Sequence, residues 1–166
     1  VLYASLSCPY CRAFMRDVFP ALKKGYIDTG KVRLIFREFP IGKSSGNATI
    51  ALRCAPADHY FVLFTKYLEN QSSWVSQEVR LDQIFAIAQQ VGMKREKFDA
   101  CLQNQSLIDS LQKVKDRGRK LGIVGTPNFF IQNVLVKKTL TFQEFQAMVD
   151  PLLKPVQASH TPSVTY

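Results

Sequence analysis

The spacing of apolar residues changes twice along the chain and divides the sequence into three parts. The first part holds two strand-like segments, an apolar run over residues 1–6 and an alternating pattern over residues 31–39. Between them, Pro9 stands where a helix can begin, because the first turn of a helix does not need the N–H that proline lacks. Apolar residues then recur at helical spacing, and we expect this helix to be kinked by Pro20 and to end near Gly25.

The second part, residues 43–121, is helical in pattern throughout. Its apolar residues recur every three to four positions, as expected for helices that bury one face. These stripes run over residues 48–55, 60–68, 81–91, 98–102 and 107–121.

The strand pattern returns after Gly125. Residues 128–132 and 134–138 are two short apolar segments joined at Asn133, which predicts a hairpin. Thr141 and Glu144 then have the spacing of a capping box at the start of a final helix.

The two β-rich ends are each too small to form a stable sheet alone, so we expect them to pair with each other. This predicts an α/β fold in which residues 1–42 and 122–154 form one domain and residues 43–121 form an inserted all-helical subdomain. The polar residues 155–166 lack periodicity and are expected to be an extended tail.

Composition and charge narrow the function classes. The 166 residues are 46% hydrophobic, enough for a core that does not depend on the four cysteines. Lysine and arginine exceed aspartate and glutamate by 22 to 13, a net charge of +9. The densest basic cluster, however, alternates along a predicted helix with acidic residues, which favours a solvated basic face and no nucleic-acid partner. This cluster comprises Lys113, Lys115, Arg117, Arg119 and Lys120, with Asp109 and Asp116 among them.

The sequence shows no apolar stretch of membrane-spanning length and no visible signal peptide. Residues 1–4 already have the pattern of a buried strand, and a domain rarely begins within a strand. We therefore expect further sequence upstream, including a targeting segment and an edge strand.

The strongest chemical signal is Cys8-Pro9-Tyr10-Cys11, at the predicted start of a helix. The free N–H groups and positive dipole end of a helix favour a thiolate, which lowers the pKa of such cysteines from about 8.5 to about 3.5–7.5. A stable Cys8 thiolate favours the reduced pair and makes the disulfide a better oxidant. Cys11 lies one turn further along the helix, on the buried side, and would serve as the resolving cysteine.

Two other interpretations of this motif are a zinc half-site and an inert structural disulfide. Zinc needs two further ligands, which Cys54, Cys101, His59 and His160 do not supply at ligand spacing. We therefore predict no metal site and no cofactor other than the redox-active Cys8–Cys11 disulfide.

The combination of this motif, the helical block and Gly125-Thr126-Pro127 before a hairpin resembles the DsbA-like family of thioredoxin-fold proteins. The resemblance spans residues 1–153 and implies a thioredoxin-like fold. It also implies that Pro127 is cis and faces the sulfurs, and that an extended substrate pairs with the backbone of Thr126. The predicted site therefore has Cys8 and Cys11 as catalytic residues, and the substrate-binding residues Pro9, Tyr10, Gly125, Thr126 and Pro127.

The chain departs from the family pattern in ways that bear on its direction of catalysis. Leu2 stands where many thioredoxin-fold proteins have a buried acid, so a proton relay would need Glu38 or water. Tyr10 stands where the best-known DsbA proteins have histidine and adds no cation near Cys8. Tyr10 and Thr126 are also similar to disulfide-isomerase relatives, which leaves oxidase and isomerase both open.

Cys54 and Cys101 lie on predicted apolar helix faces of the inserted subdomain. They are either two buried free thiols or a structural disulfide, which some DsbA-like proteins carry in this region. We expect the bond, and closing a loop of about 48 residues would contribute roughly 4 kcal/mol.

The resemblance implies an exported, periplasmic thiol:disulfide oxidoreductase that introduces disulfides into reduced or misoxidised exported proteins. A membrane partner would re-oxidise it, and we expect a monomer. The alternatives are an isomerase or reductase of the same family, or a non-catalytic metal-handling or chaperone-like binding protein.

Overall fold

The computed structural model describes residues 1–154. Four strands, β1 to β4, are Leu2–Ala4, Phe36–Glu38, Asn128–Ile131 and Val134–Val136. Helices α1 to α9 are Pro9–Asp17, Phe19–Leu22, Lys43–Cys54, Tyr60–Glu69, Gln71–Trp74, Leu81–Gln89, Arg95–Leu102, Gln105–Lys120 and Phe142–Leu153. A π-helical turn at Lys23–Ile27 and a 3₁₀ turn at Ala57–His59 complete the elements. The predicted extended tail lies outside the described residues.

The two β-rich ends of the chain form one sheet, as predicted. Its strand order is β2-β1-β3-β4, with β1 parallel to β2 and the other two pairings antiparallel. Leu2 of β1 lies opposite Phe129 of β3, so the pairing joins segments on either side of the helical block. The thioredoxin-like fold with a helical insertion is thereby confirmed, while the exact boundaries 1–42, 43–121 and 122–154 stay a prediction.

Helices pack on both faces of the sheet. Leu2 and Ala4 face the main core, in which α1 contributes Phe14 and the insertion contributes aromatic and aliphatic side chains. Tyr3 faces the other side, beneath α8. Gly118 allows α8 to approach closely, since a Cβ there would lie 3.0 Å from the Tyr3 ring. None of the helices in residues 1–154 is long and apolar enough to cross a membrane.

Several predicted element boundaries were wrong. The strand expected over residues 31–39 is reduced to Phe36–Glu38. Val32 instead donates its N–H to the carbonyl of Tyr26, and pairing with β1 begins only at Ile35. The predicted hairpin strands are also shorter and are joined at residues 132–133, where Gln132 has a positive φ of 53°.

The first helix does not continue through a kink at Pro20. It ends at Asp17, and Pro20 lies in the first turn of α2, where its missing N–H removes no hydrogen bond. The short helix α5 lies between the apolar stripes predicted over residues 60–68 and 81–91. The capping box of α9 was confirmed, because Thr141 accepts from the Glu144 N–H and Glu144 accepts from the Thr141 N–H.

Candidate active site

The end of β1 and the start of α1 position the cysteine pair. Cys8 is the N-cap of α1, with extended backbone angles, and its sulfur accepts a hydrogen bond from the Cys11 N–H at 3.3 Å. Pro9 occupies the first position of the helix, as its fixed φ favours. Both cysteines are free thiols, and their exposed fractions are 9% for Cys8 and 1% for Cys11.

The loop before β3 supplies the opposite wall of the site. The Thr126–Pro127 peptide bond is cis. The Cys8 thiol donates to the Thr126 carbonyl oxygen at 3.3 Å, across 118 positions of sequence. The fold thus brings Cys8, Cys11 and Thr126 into contact, and Pro127 is buried beside Thr126.

The surroundings of Cys8 favour its thiolate. The pKa of Cys8 is lowered from its ordinary value of 9.0 to about 6, chiefly by a hydrogen bond from the Cys11 thiol. Burial opposes this shift, and the Thr126 hydroxyl and the backbone N–H groups of Cys11 and Tyr10 reinforce it. While Cys8 is a thiol, the buried Thr126 hydroxyl has no hydrogen-bond partner within residues 1–154, so it is available to a thiolate.

Cys11 has the opposite character. Burial is the largest cause of its raised pKa, and the neighbouring Cys8 sulfur raises the pKa further. A buried sulfur that holds its proton cannot meet a protein substrate directly. The pair therefore divides into a slightly exposed, acidic sulfur at Cys8 and a protonated, enclosed sulfur at Cys11.

The other predicted substrate-binding residues line the rim of the site. Tyr10 is 67% exposed, beside the exposed Pro9. Gly125 is half-buried, next to Thr126. Their position is compatible with contact to a polypeptide that reaches Cys8, and their role in binding stays a prediction.

Gln71 in α5 is a residue of the site that was not predicted. Its side-chain amide donates to the carbonyl oxygens of Leu6 and Cys8 at 2.8 and 2.9 Å, and the residue is 6% exposed. Gln71 lies four residues after Tyr67 and three before Trp74, both fully buried. A polar residue on this apolar helical face was the one signal in the sequence that could have identified it.

Serine hydroxyls fix the loop that precedes Cys8, and they too were not predicted. Ser5 lies within 2.8 Å of Ser45 in α3 and accepts from the Ile41 N–H at 3.2 Å. Ser7 donates to the Ile41 carbonyl oxygen at 3.2 Å. The segment after β2 is thereby held against the cysteine loop.

Glu38 is held in an ion pair rather than turned toward the sulfurs. Its carboxylate accepts from Arg53 at 2.9 and 3.1 Å and from the Tyr60 hydroxyl at 2.9 Å. Burial opposes its ionisation, but Arg53 and Tyr60 outweigh burial and lower its pKa. The proton-relay role considered for Glu38 has no contact in this arrangement to support it.

The remaining cysteines lie in the insertion. Cys54, at the end of α3, forms a disulfide with Cys101 in α7. Within residues 1–154, no cluster of three or more histidine, cysteine or acidic residues could hold a metal ion.

Comparisons with known proteins agree with this fold. A family model described as Thioredoxin matches residues 1–151. The crystal structure of alpha-DsbA1 from Wolbachia pipientis superposes with a TM-score of 0.81 at 29% identity, covering 92% of this chain and 83% of that one.

Curated relatives carry names of the same kind. A relative from Rickettsia typhi is provisionally named a protein-disulfide oxidoreductase. It is 32% identical over 136 residues, which are 81% of this chain and 50% of the relative. "Probable disulfide bond formation protein D" of Bacillus cereus is 28% identical over 162 residues, which are 93% of this chain and 73% of the relative. The chain thus spans about half the length of the Rickettsia relatives that it matches. It belongs to the thioredoxin family and, within that family, to the DsbA-like proteins.

Proposed function

We propose that this protein is a thiol:disulfide oxidoreductase that introduces disulfide bonds into exported proteins through Cys8 and Cys11. The observation that carries this proposal is the asymmetry of the pair. The pKa of Cys8 is lowered to about 6 beside the Thr126 carbonyl, while Cys11 is buried and its pKa is raised. A stabilised thiolate favours the reduced pair, so the disulfide tends to accept electrons from substrate thiols.

The reaction begins with the Cys8–Cys11 disulfide. A substrate thiolate attacks the Cys8 sulfur, the Cys8–Cys11 bond breaks, and Cys11 leaves and takes up a proton. A second substrate thiol then loses its proton and attacks the substrate sulfur of the mixed disulfide. Cys8 leaves as a thiolate, which its low pKa favours. The substrate gains a disulfide, and two electrons pass to the Cys8–Cys11 pair.

The backbone of Thr126 is the proposed docking strand for the substrate. An extended polypeptide can add to such a segment by main-chain hydrogen bonds while its cysteine meets Cys8. Pro9, Tyr10, Gly125 and Pro127 form the surroundings of that contact. No cofactor beyond the cysteine pair is required.

A complete cycle requires a second protein, because each turnover leaves the pair reduced. We propose a re-oxidising partner in the membrane and a periplasmic or otherwise exported location for the enzyme. The related DsbA-like proteins support this scheme.

The decisive experiment compares two ribonuclease substrates. Fast oxidation of reduced ribonuclease with little unscrambling of mispaired ribonuclease is expected, and the reverse result would establish an isomerase. Cys8→Ala should abolish both activities without unfolding the protein. Stoichiometric metal binding without turnover would overturn the enzymatic proposal in favour of a binding protein.

A further inference from the structure

A cavity of about 370 Å³ lies between α8, the segment after β2 and the loop before β3. Its apolar part includes the buried Phe39 and Ile123, with Ile41 and Val124 at the rim. Ile41 is 48% exposed and Val124 is 80% exposed. Large apolar side chains so exposed around one cavity are typical of a contact surface.

The rim of this cavity is connected to Cys8 from two sides. On one side, Ile41 is hydrogen-bonded through its carbonyl oxygen to Ser7, the residue that precedes Cys8. On the other side, Val124 lies two residues before Thr126, whose carbonyl contacts the Cys8 sulfur. Because an extended chain advances about 3.3 Å per residue, a substrate whose cysteine meets Cys8 would reach this rim within a few residues.

Two cations of α8 complete the wall. Lys115 and Arg119 line the cavity, whereas the other three residues of the basic cluster do not. The Lys115 ammonium lies 5.8 Å from the centre of the Phe39 ring. Burial lowers the pKa of Lys115, and the positive charge of Arg119 lowers it further.

The charge of Lys115 is only partly offset by the protein, through the nearby carboxylate of Asp116. Within the described part of the chain Lys115 forms no salt bridge, and the neighbouring carboxylate of Asp116 is paired with Arg119 at 3.1 Å. A carboxylate in the cavity would supply the missing opposite charge, and its aliphatic stem would contact the apolar wall.

We propose that this cavity, which we call the Lys115 groove, binds an aspartate or glutamate side chain located two to four residues from the reacting cysteine of a protein substrate. The proposal rests on the proposed function and names the substrate class that it favours. It also assigns a role to two members of the basic cluster that the disulfide chemistry leaves unexplained.

The test uses synthetic dithiol peptides that differ at one position. Glutamate is placed two, three or four residues before or after the first cysteine, and each peptide has a glutamine counterpart. Single-turnover oxidation by the disulfide form of the protein is followed by acid quench and mass measurement. A partly exposed ion pair predicts that at least one glutamate position is oxidised about two- to fivefold faster at low ionic strength, and that salt reduces the difference.

Variants assign the effect to the groove. Lys115→Gln and Arg119→Gln should each reduce the glutamate-to-glutamine rate ratio, and the double variant should bring it to about one. Lys115→Arg should retain the preference. The matched control is Lys113→Gln, which removes a charge from the same helix outside the groove and should leave the ratio unchanged.

Oxidation of dithiothreitol, which carries no charge, tests the proposed oxidoreductase function separately from the groove proposal. If neither dithiothreitol nor any peptide is oxidised, the proposed function is wrong. If all are oxidised but no glutamate position is faster, or if Lys113→Gln removes the preference as completely as Lys115→Gln does, the groove proposal alone is wrong.

Discussion

The side-chain amide of Gln71 donates to the carbonyl oxygen of Cys8 at 2.9 Å and to that of Leu6 at 2.8 Å. One side chain of the helical insertion thereby fixes the backbone on both sides of Ser7. Cys8 must keep its N-cap geometry for the Cys11 N–H to point at its sulfur. The insertion is therefore part of what stabilises the reactive cysteine.

Replacing Gln71 by methionine, which has a similar shape but no donor, should destabilise the protein and raise the pKa of Cys8. The carbonyl oxygen of Cys8 would still accept from the Arg12 N–H, but the carbonyl oxygen of Leu6 would lose the Gln71 amide as its donor. We therefore expect the free energy of unfolding to fall by about 1–3 kcal/mol. Denaturant unfolding measures the first effect, and the pH dependence of iodoacetamide labelling measures the second.

Gln77→Met, at an exposed position of the same insertion, is the matched control and should change neither quantity. A Gln71→Met protein with wild-type stability and an unchanged Cys8 pKa would show that these two hydrogen bonds do not support the site.

The contrast between Cys8 and Gln71 explains how much of the site could be predicted from sequence. Cys8 and Cys11 carry their chemistry in their identity and spacing, and the motif around Pro127 adds the facing loop through a family resemblance. Gln71 and Ser45 are ordinary polar residues whose importance arises only when the insertion folds onto the cysteine loop. No local pattern records such long-range hydrogen bonds.

The same reasoning applies to the fold. Periodicity predicted the order of strands and helices, because burial of one face repeats along each element. It overextended the segment before β2, where apolar residues 32–35 alternate as in a strand although regular strand structure begins only at Phe36. Strand ends depend on which partner is within reach, and the sequence of one strand does not contain that information.

The redox potential should change its dependence on pH near pH 6. Below the pKa of Cys8, reduction takes up two protons and the potential should fall by about 59 mV per pH unit; above it one thiol is ionised and the slope should be about 30 mV. Folding lowers the pKa of Cys8, so ionisation of Cys8 stabilises the reduced protein, and this stabilisation is fully present above about pH 9. The stabilisation is lost as the pH falls through about 6.

Glutathione equilibration across pH 4.5–8 measures this slope. Cys11→Ala removes the largest cause of the shift, so the labelling pKa of Cys8 in that variant should move back toward 9. A single slope through the whole range, or an unchanged pKa in Cys11→Ala, would refute the assignment.

Glu38→Gln should destabilise the protein without changing the pKa of Cys8. The variant leaves the Arg53 guanidinium, whose side chain is 15% exposed, without its carboxylate, and a loss of about 2–4 kcal/mol is expected at pH 7. Because folding lowers the pKa of Glu38 below 4.5, this stabilisation is present above that pH and is lost as the pH falls through the folded value. The difference between wild type and variant should therefore narrow in acid.

Denaturant unfolding at several pH values tests the Glu38 prediction, with Glu69→Gln as an exposed control that should have little effect. If Glu38→Gln instead shifts the iodoacetamide labelling pKa of Cys8 while leaving stability intact, Glu38 acts on the sulfurs and the relay interpretation is correct.

Removal of the Cys54–Cys101 disulfide should destabilise the inserted helices while leaving the chemistry of Cys8 unchanged. The bond links α3 to α7 across a sequence separation of 47, and closing a loop of this size contributes roughly 4 kcal/mol. Cys54→Ala/Cys101→Ala is compared with wild type by denaturant unfolding, with Cys8 and Cys11 kept reduced in both so that only one bond differs. A reductant strong enough to open the remaining disulfide should bring wild type to the stability of the variant. Equal stabilities before that reduction would show that the bond contributes nothing, and a changed labelling pKa of Cys8 would show that the two cysteine pairs are coupled.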